Sequence, residues 1–144
     1  MAASIEDPIP EVDELLRVLV RLINSASGLE VGLTLAVKGL LISGTAISWR
    51  DYYKGTAGYI RDATRGSESE GVADSIASIF DALVEGQEKL EAEDPTAKDA
   101  PPNFIHLKQA RVFTGADPIP REQGMWWRGR LSEVDGFTVG NVNV

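Results

Sequence analysis

His106 is the one histidine of the chain and its one candidate for a general base near neutral pH. Acid–base or nucleophilic catalysis would need a serine, a carboxylate or a metal beside it, and the sequence contains no G-x-S-x-G nucleophile motif. The absence of cysteine excludes thiol nucleophiles, thiolate zinc sites and iron–sulfur clusters. We therefore expect no catalytic residue and no metal site, and keep a hydrolase built on His106 as an alternative.

Two further stretches resemble ligand sites but lack the residues that such sites need. Ser43-Gly44-Thr45 has the composition of a phosphate loop, yet it lacks the Gly-Lys-Ser/Thr ending and lies inside a strand pattern. The acidic run Glu85–Asp99 lacks the alternating carboxylates and central glycine of a calcium loop. A solvated helix face followed by a linker accounts for it, so no cofactor is expected.

The run Trp126–Leu131 is the strongest candidate for recognition. In a strand, neighbouring side chains point to opposite faces, so Trp127 shares a face with Leu131 while Trp126 lies beside Arg128 and Arg130. Tryptophan and arginine dominate binding hot spots, which makes Trp126, Arg128 and Arg130 the predicted interaction residues. The alternative is that Trp126 packs under a helix while the arginines pair with its acids, and the sequence leaves both open.

The charge distribution bears on the choice of partner. The chain carries a net charge of −8, and residues 66–103 hold ten acids against Lys89 and Lys98. An acidic protein is repelled by nucleic acid and by anionic lipid, so we expect protein partners and no nucleic acid. A small barrel that binds single-stranded RNA through the Trp126 face is the alternative function.

No membrane span or targeting signal is expected from the sequence. The longest uncharged run, Gly39–Trp49, has eleven residues, whereas a spanning helix needs about 20 apolar residues. Glu6 and Asp7 precede the first apolar stretch, where a secretory signal would be basic. These features predict a cytoplasmic protein.

The amino-terminal half predicts a helix followed by a hairpin. Residues 1–10 are expected to form a flexible lead, and a helix should start near Val12. Alternating apolar residues then predict a strand over 29–37, and Lys38-Gly39 predicts a turn, because glycine tolerates positive φ. The run Leu40–Ile47 predicts the returning strand, with a bulge or bend at Gly44.

A helical insert is predicted next. Ser48 is placed to cap a helix from Trp49 to about Arg65, and a polar linker follows over 66–71. An amphipathic helix should end near Glu93, before a second linker over 94–103. Its apolar stripe comprises Val72, Ile76, Ile79, Phe80, Leu83, Val84 and Leu90.

The carboxyl-terminal part predicts three strands. These are Phe104–Phe113, with a change of apolar parity near Lys108-Gln109, then Met125–Val134 and Phe137–Val142, the last two joined by a hairpin at Asp135-Gly136. The predicted fold class is α+β: a small antiparallel β-sheet or partly closed barrel of about five strands, with an N-terminal helix and a helical insert. Residues 11–144 are expected to form a single domain, with 66–103 as its acidic helical insert and linkers.

Three blocks of the sequence resemble the gas vesicle accessory protein GvpU family, in the order in which that family has them. They are Val37–Ser48 followed by Tyr53, then Phe104–Lys108, and then Trp127–Phe137. The resemblance covers roughly residues 12–140, and the third block is the most specific.

The resemblance implies a non-enzymatic accessory protein of gas vesicles, made in the cytoplasm and located there or at the vesicle surface. Its expected role is in vesicle assembly, or in vesicle association and clustering, through self-association and protein–protein contacts. Partners would be the vesicle shell or other gas vesicle accessory proteins, and a homo-oligomer is expected. No cofactor or catalytic residue comes with the resemblance.

Overall fold

A computed structural model of the protein describes residues 11–26, 28–115 and 117–142, so the predicted lead over 1–10 lies outside the described residues. The fold class is α+β, as predicted, with an N-terminal helix, a helical insert and an antiparallel sheet that stays open instead of closing into a barrel. In chain order the elements are α1 (Glu14–Ser25), β1 (Val31–Val37), β2 (Leu40–Ile47), α2 (Trp49–Thr64), α3 (Glu70–Glu93), β3 (Phe104–Phe113), β4 (Pro118–Ile119), β5 (Met125–Arg130) and β6 (Gly136–Val139).

Among the residues that the structure describes, the sheet has six strands, and β2 and β3 lie at its centre. β6, β1, β2 and β3 follow one another across the sheet, and all pair antiparallel. The far side of β3 is shared: β5 pairs with its first part and the two-residue β4 with its last part. The long β3 therefore positions both β5, which pairs with it in the sheet, and the helical insert, whose α2 packs over it.

The predicted β1–β2 hairpin is confirmed. Lys38 and Gly39 both have positive φ, 51° and 84°, which is typical of the two-residue type I′ turn whose twist matches a hairpin. The turn sets the register Val37↔Leu40, which continues to Val31↔Ala46.

The predicted change of parity in β3 is a β-bulge. The pairing of β2 with β3 shifts between Ser43 and Thr45, so that Gly44 faces both Gln109 and Ala110. Gln109 takes up the extra residue with φ of 54°. A side chain at Gly44 would meet the Ala110 backbone at 3.0 Å, which explains the glycine there. Beyond the bulge, even-numbered residues of β3 replace odd-numbered ones on the core face.

One face of the sheet carries the hydrophobic core and is covered by α1. Asp13 caps that helix by accepting hydrogen bonds from the N–H groups of Leu15 and Leu16. Burying the core drives the folding of the sheet against α1, since each fully buried aliphatic side chain contributes about 1.5–3 kcal/mol. Its buried members are Leu16, Val20, Ile23, Leu33, Leu35, Ile42, Ala46, Ile105, Leu107, Ala110, Leu131 and Val134.

The opposite face is more polar over β1 and β2. The Thr34 hydroxyl lies 3.1 Å from that of Ser43 and donates to the Gly140 carbonyl, while Ser43 accepts from the Val142 N–H at 2.8 Å. The chain after β6 therefore runs over this face. α2 covers the neighbouring part, over β3 and β5, and α3 packs chiefly on α2.

The predicted hairpin at Asp135-Gly136 is wrong. β5 ends at Arg130, and a 3₁₀ turn over Leu131–Glu133 follows where the strand was predicted to continue. β6 pairs with β1 at the other edge of the sheet instead of with β5. Leu131 is fully buried and draws the chain into the core, and Asp135 then binds the N–H of Lys38 at 2.8 Å.

Gly124 gives a test of the bulge. A Cβ at this position would overlap the Gln109 backbone, so we expect Gly124→Ala to lower the free energy of unfolding by about 1–3 kcal/mol or more. Gly136→Ala is the matched control, because a Cβ there meets nothing within 4 Å, and its effect should stay within about 0.5 kcal/mol. Urea denaturation followed by circular dichroism measures both, and equal stabilities would contradict this account of the bulge.

Candidate functional site

Trp126, Arg128 and Arg130 lie on one face of β5, as the alternation predicted. The register pairs Leu107 with Trp127 and His106 with Arg128. Trp127 therefore joins the core face, whereas Arg128 shares a face with His106. The side chains of the predicted interaction residues thus project from the face that the helical insert partly covers.

For Trp126, the packing alternative describes what the structure shows. A Cβ on Gly55 of α2 would overlap the Trp126 indole, which shows how closely helix and ring approach. The ring also meets Tyr52 edge to face, with centroids 6.4 Å apart. Trp126 therefore helps to hold α2 on the sheet, and its partly buried ring is less available to a binding partner.

The two arginines do not pair with acids of the insert. The Arg128 guanidinium lies 3.6 Å above the centroid of the Phe104 ring, a cation–π contact, and its Nε donates to His106 Nε2 at 3.2 Å. Arg130 is exposed and makes no ion pair within the part of the chain that the structure describes. We call Arg128 and Arg130 the β5 cation pair.

Four acids of α3 are instead paired with arginines of α2. Arg61 lies 2.8 Å from carboxylate oxygens of both Asp74 and Asp81. Arg50 contacts Glu88 at 2.9 Å, and Glu91 at 4.0 Å. Part of the negative charge of the insert is therefore balanced within the helical hairpin that it forms.

His106 is buried in an aromatic setting. The ring lies 4.8 Å from the centroid of Tyr52 and 6.0 Å from that of Tyr53. Burial, and after it the positive charge of Arg128, lowers the pKa of His106 from 6.5 to about 3. Because Nε2 accepts from Arg128, the ring proton belongs on Nδ1, which is buried without a hydrogen-bond partner among the described residues.

This environment suits a structural imidazole. The contacts of His106 are aromatic rings and an arginine, and among the described residues no serine, aspartate or glutamate is hydrogen-bonded to it. A general base works best with a pKa near the operating pH, and the pKa of His106 lies far below neutral pH.

The other two sequence candidates occupy structural positions. Ser43-Gly44-Thr45 forms the middle of β2, with Ser43 bound to Thr34 and Gly44 at the bulge. The run Glu85–Asp99 forms the end of α3 and a 3₁₀ turn, where the Asp94 side chain accepts from Thr96 N. Within residues 11–26, 28–115 and 117–142, no three potential ligands converge to hold a metal ion.

The structure has a cleft between α2 and the bulged part of the sheet that the sequence did not predict. It measures about 1060 Å³ and is lined on the helix side by Tyr52, Thr56 and Tyr59 and on the sheet side by Thr45, Gln109, Arg111 and Trp126, among others. Nothing in the sequence indicated it, because it arises where α2 leaves the polar face of the sheet.

The apolar stripe of α3 is split between two directions. Phe80 and Val84 face α2, together with the small side chains Ala73 and Ala77. The remaining members are exposed: Val72, Ile76, Ile79, Leu83 and Leu90. A second exposed stripe, Leu15, Val18 and Leu22, lies on α1 at the opposite face of the sheet.

None of the described helices combines the length and the apolar character that crossing a bilayer requires.

The chain matches a known protein family. The family described as gas vesicle protein GvpU-like matches residues 13–142. Neither the curated proteins nor the solved structures include a significant match to this chain.

The pKa of His106 predicts a dependence of stability on pH. Its pKa is lower in the folded than in the unfolded chain, so the unfolded state binds more protons between pH 6.5 and about 3. Stability is retained above pH 6.5 and falls on acidification, by roughly 2 kcal/mol between pH 6.5 and 5. Melting temperatures over this window should drop by several degrees. In His106→Gln, which cannot titrate, the slope should be shallower, and equal slopes would contradict the burial of a neutral ring.

Gly55 and Gly58 test the seating of α2 within one helix. Gly55→Ala should lower the free energy of unfolding by about 1–3 kcal/mol through overlap with Trp126. Gly58→Ala meets nothing within 4 Å and should raise it by about 0.5–1 kcal/mol, because alanine favours the helix. Denaturation curves measure both. Combining Gly55→Ala with Trp126→Ala should cost less than the sum of the two, and strict additivity would argue against the contact.

Proposed function

The chain belongs to the GvpU-like family of gas vesicle proteins, and from this premise we propose that it is a non-enzymatic accessory protein that acts in vesicle assembly or in vesicle association and clustering. It works through contacts with the vesicle shell or with other accessory proteins and through self-association. Its place is the cytoplasm, at the vesicle surface. The observation that carries the contact site is the β5 cation pair, two arginines without a carboxylate partner among the described residues of a chain of charge −8.

The geometry of β5 supports a docking role for this pair. β3 is the described strand with which β5 pairs, so the outer edge of β5 offers backbone N–H and C=O groups as well as arginines. The contact with Phe104 holds the Arg128 guanidinium in place before binding, which reduces the entropy lost on association. Such an edge suits an acidic protein segment.

The acidic segment 66–103 of a second copy has the matching chemistry. Asp74, Asp81, Glu88 and Glu91 are engaged by α2 arginines. By contrast, Glu85, Glu93 and Asp99 make no ion pair within the described part of the chain. These carboxylates are the natural counterparts of the β5 cation pair.

The alternative function, binding of single-stranded RNA, has less support. Its stacking platform would be Trp126, whose ring already packs on Gly55 and Tyr52. Two exposed arginines on an acidic molecule offer little attraction for a phosphate backbone. Quenching of tryptophan fluorescence by an oligonucleotide at low salt would revive this function.

Flotation tests the proposal directly. Intact gas vesicles, purified by their buoyancy, are mixed with the protein and allowed to rise, and the buoyant layer is assayed. The wild-type chain should float with the vesicles. We expect Arg130→Glu to reduce the floated fraction about threefold to tenfold, because an exposed ion pair contributes up to about 1 kcal/mol and the reversed charge adds repulsion.

Arg121→Glu is the matched control for that variant. Arg121 is exposed and pairs with Asp117 in the β4–β5 loop, so its reversal makes the same change in net charge away from Arg130. It should leave flotation near the wild-type level, and the Arg130 contact should weaken as salt rises. A wild-type chain that stays below the vesicles at every salt concentration would refute vesicle association, and equal loss in both variants would refute the role of Arg130.

A further inference from the structure

The outer face of α3 carries a regular row of exposed apolar side chains, which we call the α3 seam. Its members are Val72, Ile76, Ile79, Leu83 and Leu90, each exposed by between 46% and 69% of its surface. Their spacing is four, three, four and seven residues, with Gly86 at the position that completes the alternation of four and three. This is the a/d spacing of a coiled-coil seam, which is narrower than the stripe of a helix that packs on a globular core.

The seam is distinct from the face by which α3 joins the protein. Residues advance by about 100° along a helix, so the seam lies roughly 100° around from the side that carries Ala73, Ala77 and Val84. That side is buried against α2, and the ion pairs of Arg61 with Asp74 and Asp81 lie beyond it. α3 is thus fixed in place while its seam remains open among the described residues.

We propose that two copies of the chain pair through this seam, with their α3 helices antiparallel. The proposal deepens the self-association in the proposed function, on which it rests, by adding to the β5 cation pair a second, apolar surface with a defined orientation. It commits to a second copy as the occupant because the seam is complementary to itself under a two-fold axis, as an isologous interface requires.

The self-complementarity follows from the numbering. With the two-fold axis crossing the seam at the height of residue 81 along α3, Ile79 of one helix meets Leu83 of the other, and Val72 meets Leu90. Ile76 meets Gly86, so the largest gap in the seam is filled by a branched side chain of the second copy. A parallel pair would instead set Gly86 against Gly86 and leave a void there.

Charge also favours the antiparallel arrangement. Glu88, Glu91, Glu93 and Asp94 crowd the last two turns of α3 and its cap. A parallel pair would bring two such ends together, whereas the antiparallel pair sets each beside the amino-terminal end of its mate, which carries fewer acids, Glu68 and Glu70, and the favourable end of the helix dipole. On the flank away from α2, Lys89 then approaches Ser75, and Ala82 approaches Ala82, so these central flank positions bring no like charges together.

The size of the surface is sufficient for a specific dimer. Five aliphatic side chains about half exposed present on the order of 300 Å² of apolar surface per copy, a patch as large as a monomeric protein ordinarily shows. With the flanking residues of both helices the buried total comes to about 1,000 Å², the lower bound for a specific interface.

Sedimentation equilibrium across the micromolar range, at low and high salt, is the first test. The wild-type chain should form dimers that persist at high salt, because the seam is apolar. Leu83→Lys places two charges at the centre of the pair and should raise the dissociation constant about a hundredfold or more. The matched control is Ala92→Lys, which adds the same charge on an exposed, off-seam position of α3 and should leave the dimer intact. Circular dichroism should show both variants folded.

Disulfide cross-linking tests the orientation of the two helices. Because the chain has no cysteine of its own, only the introduced cysteines can form a disulfide. Val72→Cys and Leu90→Cys lie about 27 Å apart along one helix. An antiparallel pair predicts a disulfide dimer when the two variants are mixed and none when either is oxidised alone. Cross-linking of each variant alone would show a parallel pair and overturn the arrangement.

The outcomes separate this inference from the proposed function. A wild-type monomer at every concentration overturns the seam, while flotation still decides vesicle association. A dimer that survives Leu83→Lys overturns the seam but keeps self-association. If Arg130→Glu abolishes that dimer, the β5 cation pair is the contact, and if Leu15→Lys does so, the α1 stripe is.

Discussion

The alternation of side chains along β3 and β5 is the constraint on which the rest of this structure depends. Leu107 and Trp127 point to one side and enter the core beneath α1, while His106 and Trp126 point to the other and receive α2. The same two strands therefore supply both helical layers. The bulge at Gln109 preserves this arrangement, because it lets Ala110 stay on the core side after Leu107.

The second layer is built differently from the first. α1 is held by a large aliphatic core, whereas α2 and α3 are held by aromatic contacts, small side chains and arginine–carboxylate pairs. This division leaves the buried imidazole neutral between two tyrosines and an arginine, where it fills space and accepts a hydrogen bond. It also leaves the apolar stripes of α1 and α3 on opposite sides of the molecule. A protein with open surfaces on two sides suits a role in joining other proteins.

The charge of the protein is less uniform than its total of −8 suggests. Arg50 and Arg61 pair with four acids of α3 inside the helical hairpin and offset half of their charge, and the β5 cation pair lies outside this network. Contacts through the cation pair would be steered by charge and weakened by salt, whereas contacts through the α3 seam would be apolar and persist in salt. The two proposed contacts would therefore respond differently to salt.

The sequence by itself determined the local elements, because their signals are local. The period of the apolar residues, the Ser48 cap, the Lys38-Gly39 turn and the parity change near Gln109 each depend on a few neighbouring residues, and the structure confirms them. The sequence also determined the faces of Trp126 and Trp127, since alternation needs no knowledge of the partner strand. Tertiary structure alone decided the pairing of β6 with β1, which overrides the Asp135-Gly136 turn signal because burying Leu131 redirects the chain. It also decided which half of the α3 stripe is buried, because helical periodicity shows that a face is apolar but not what lies against it.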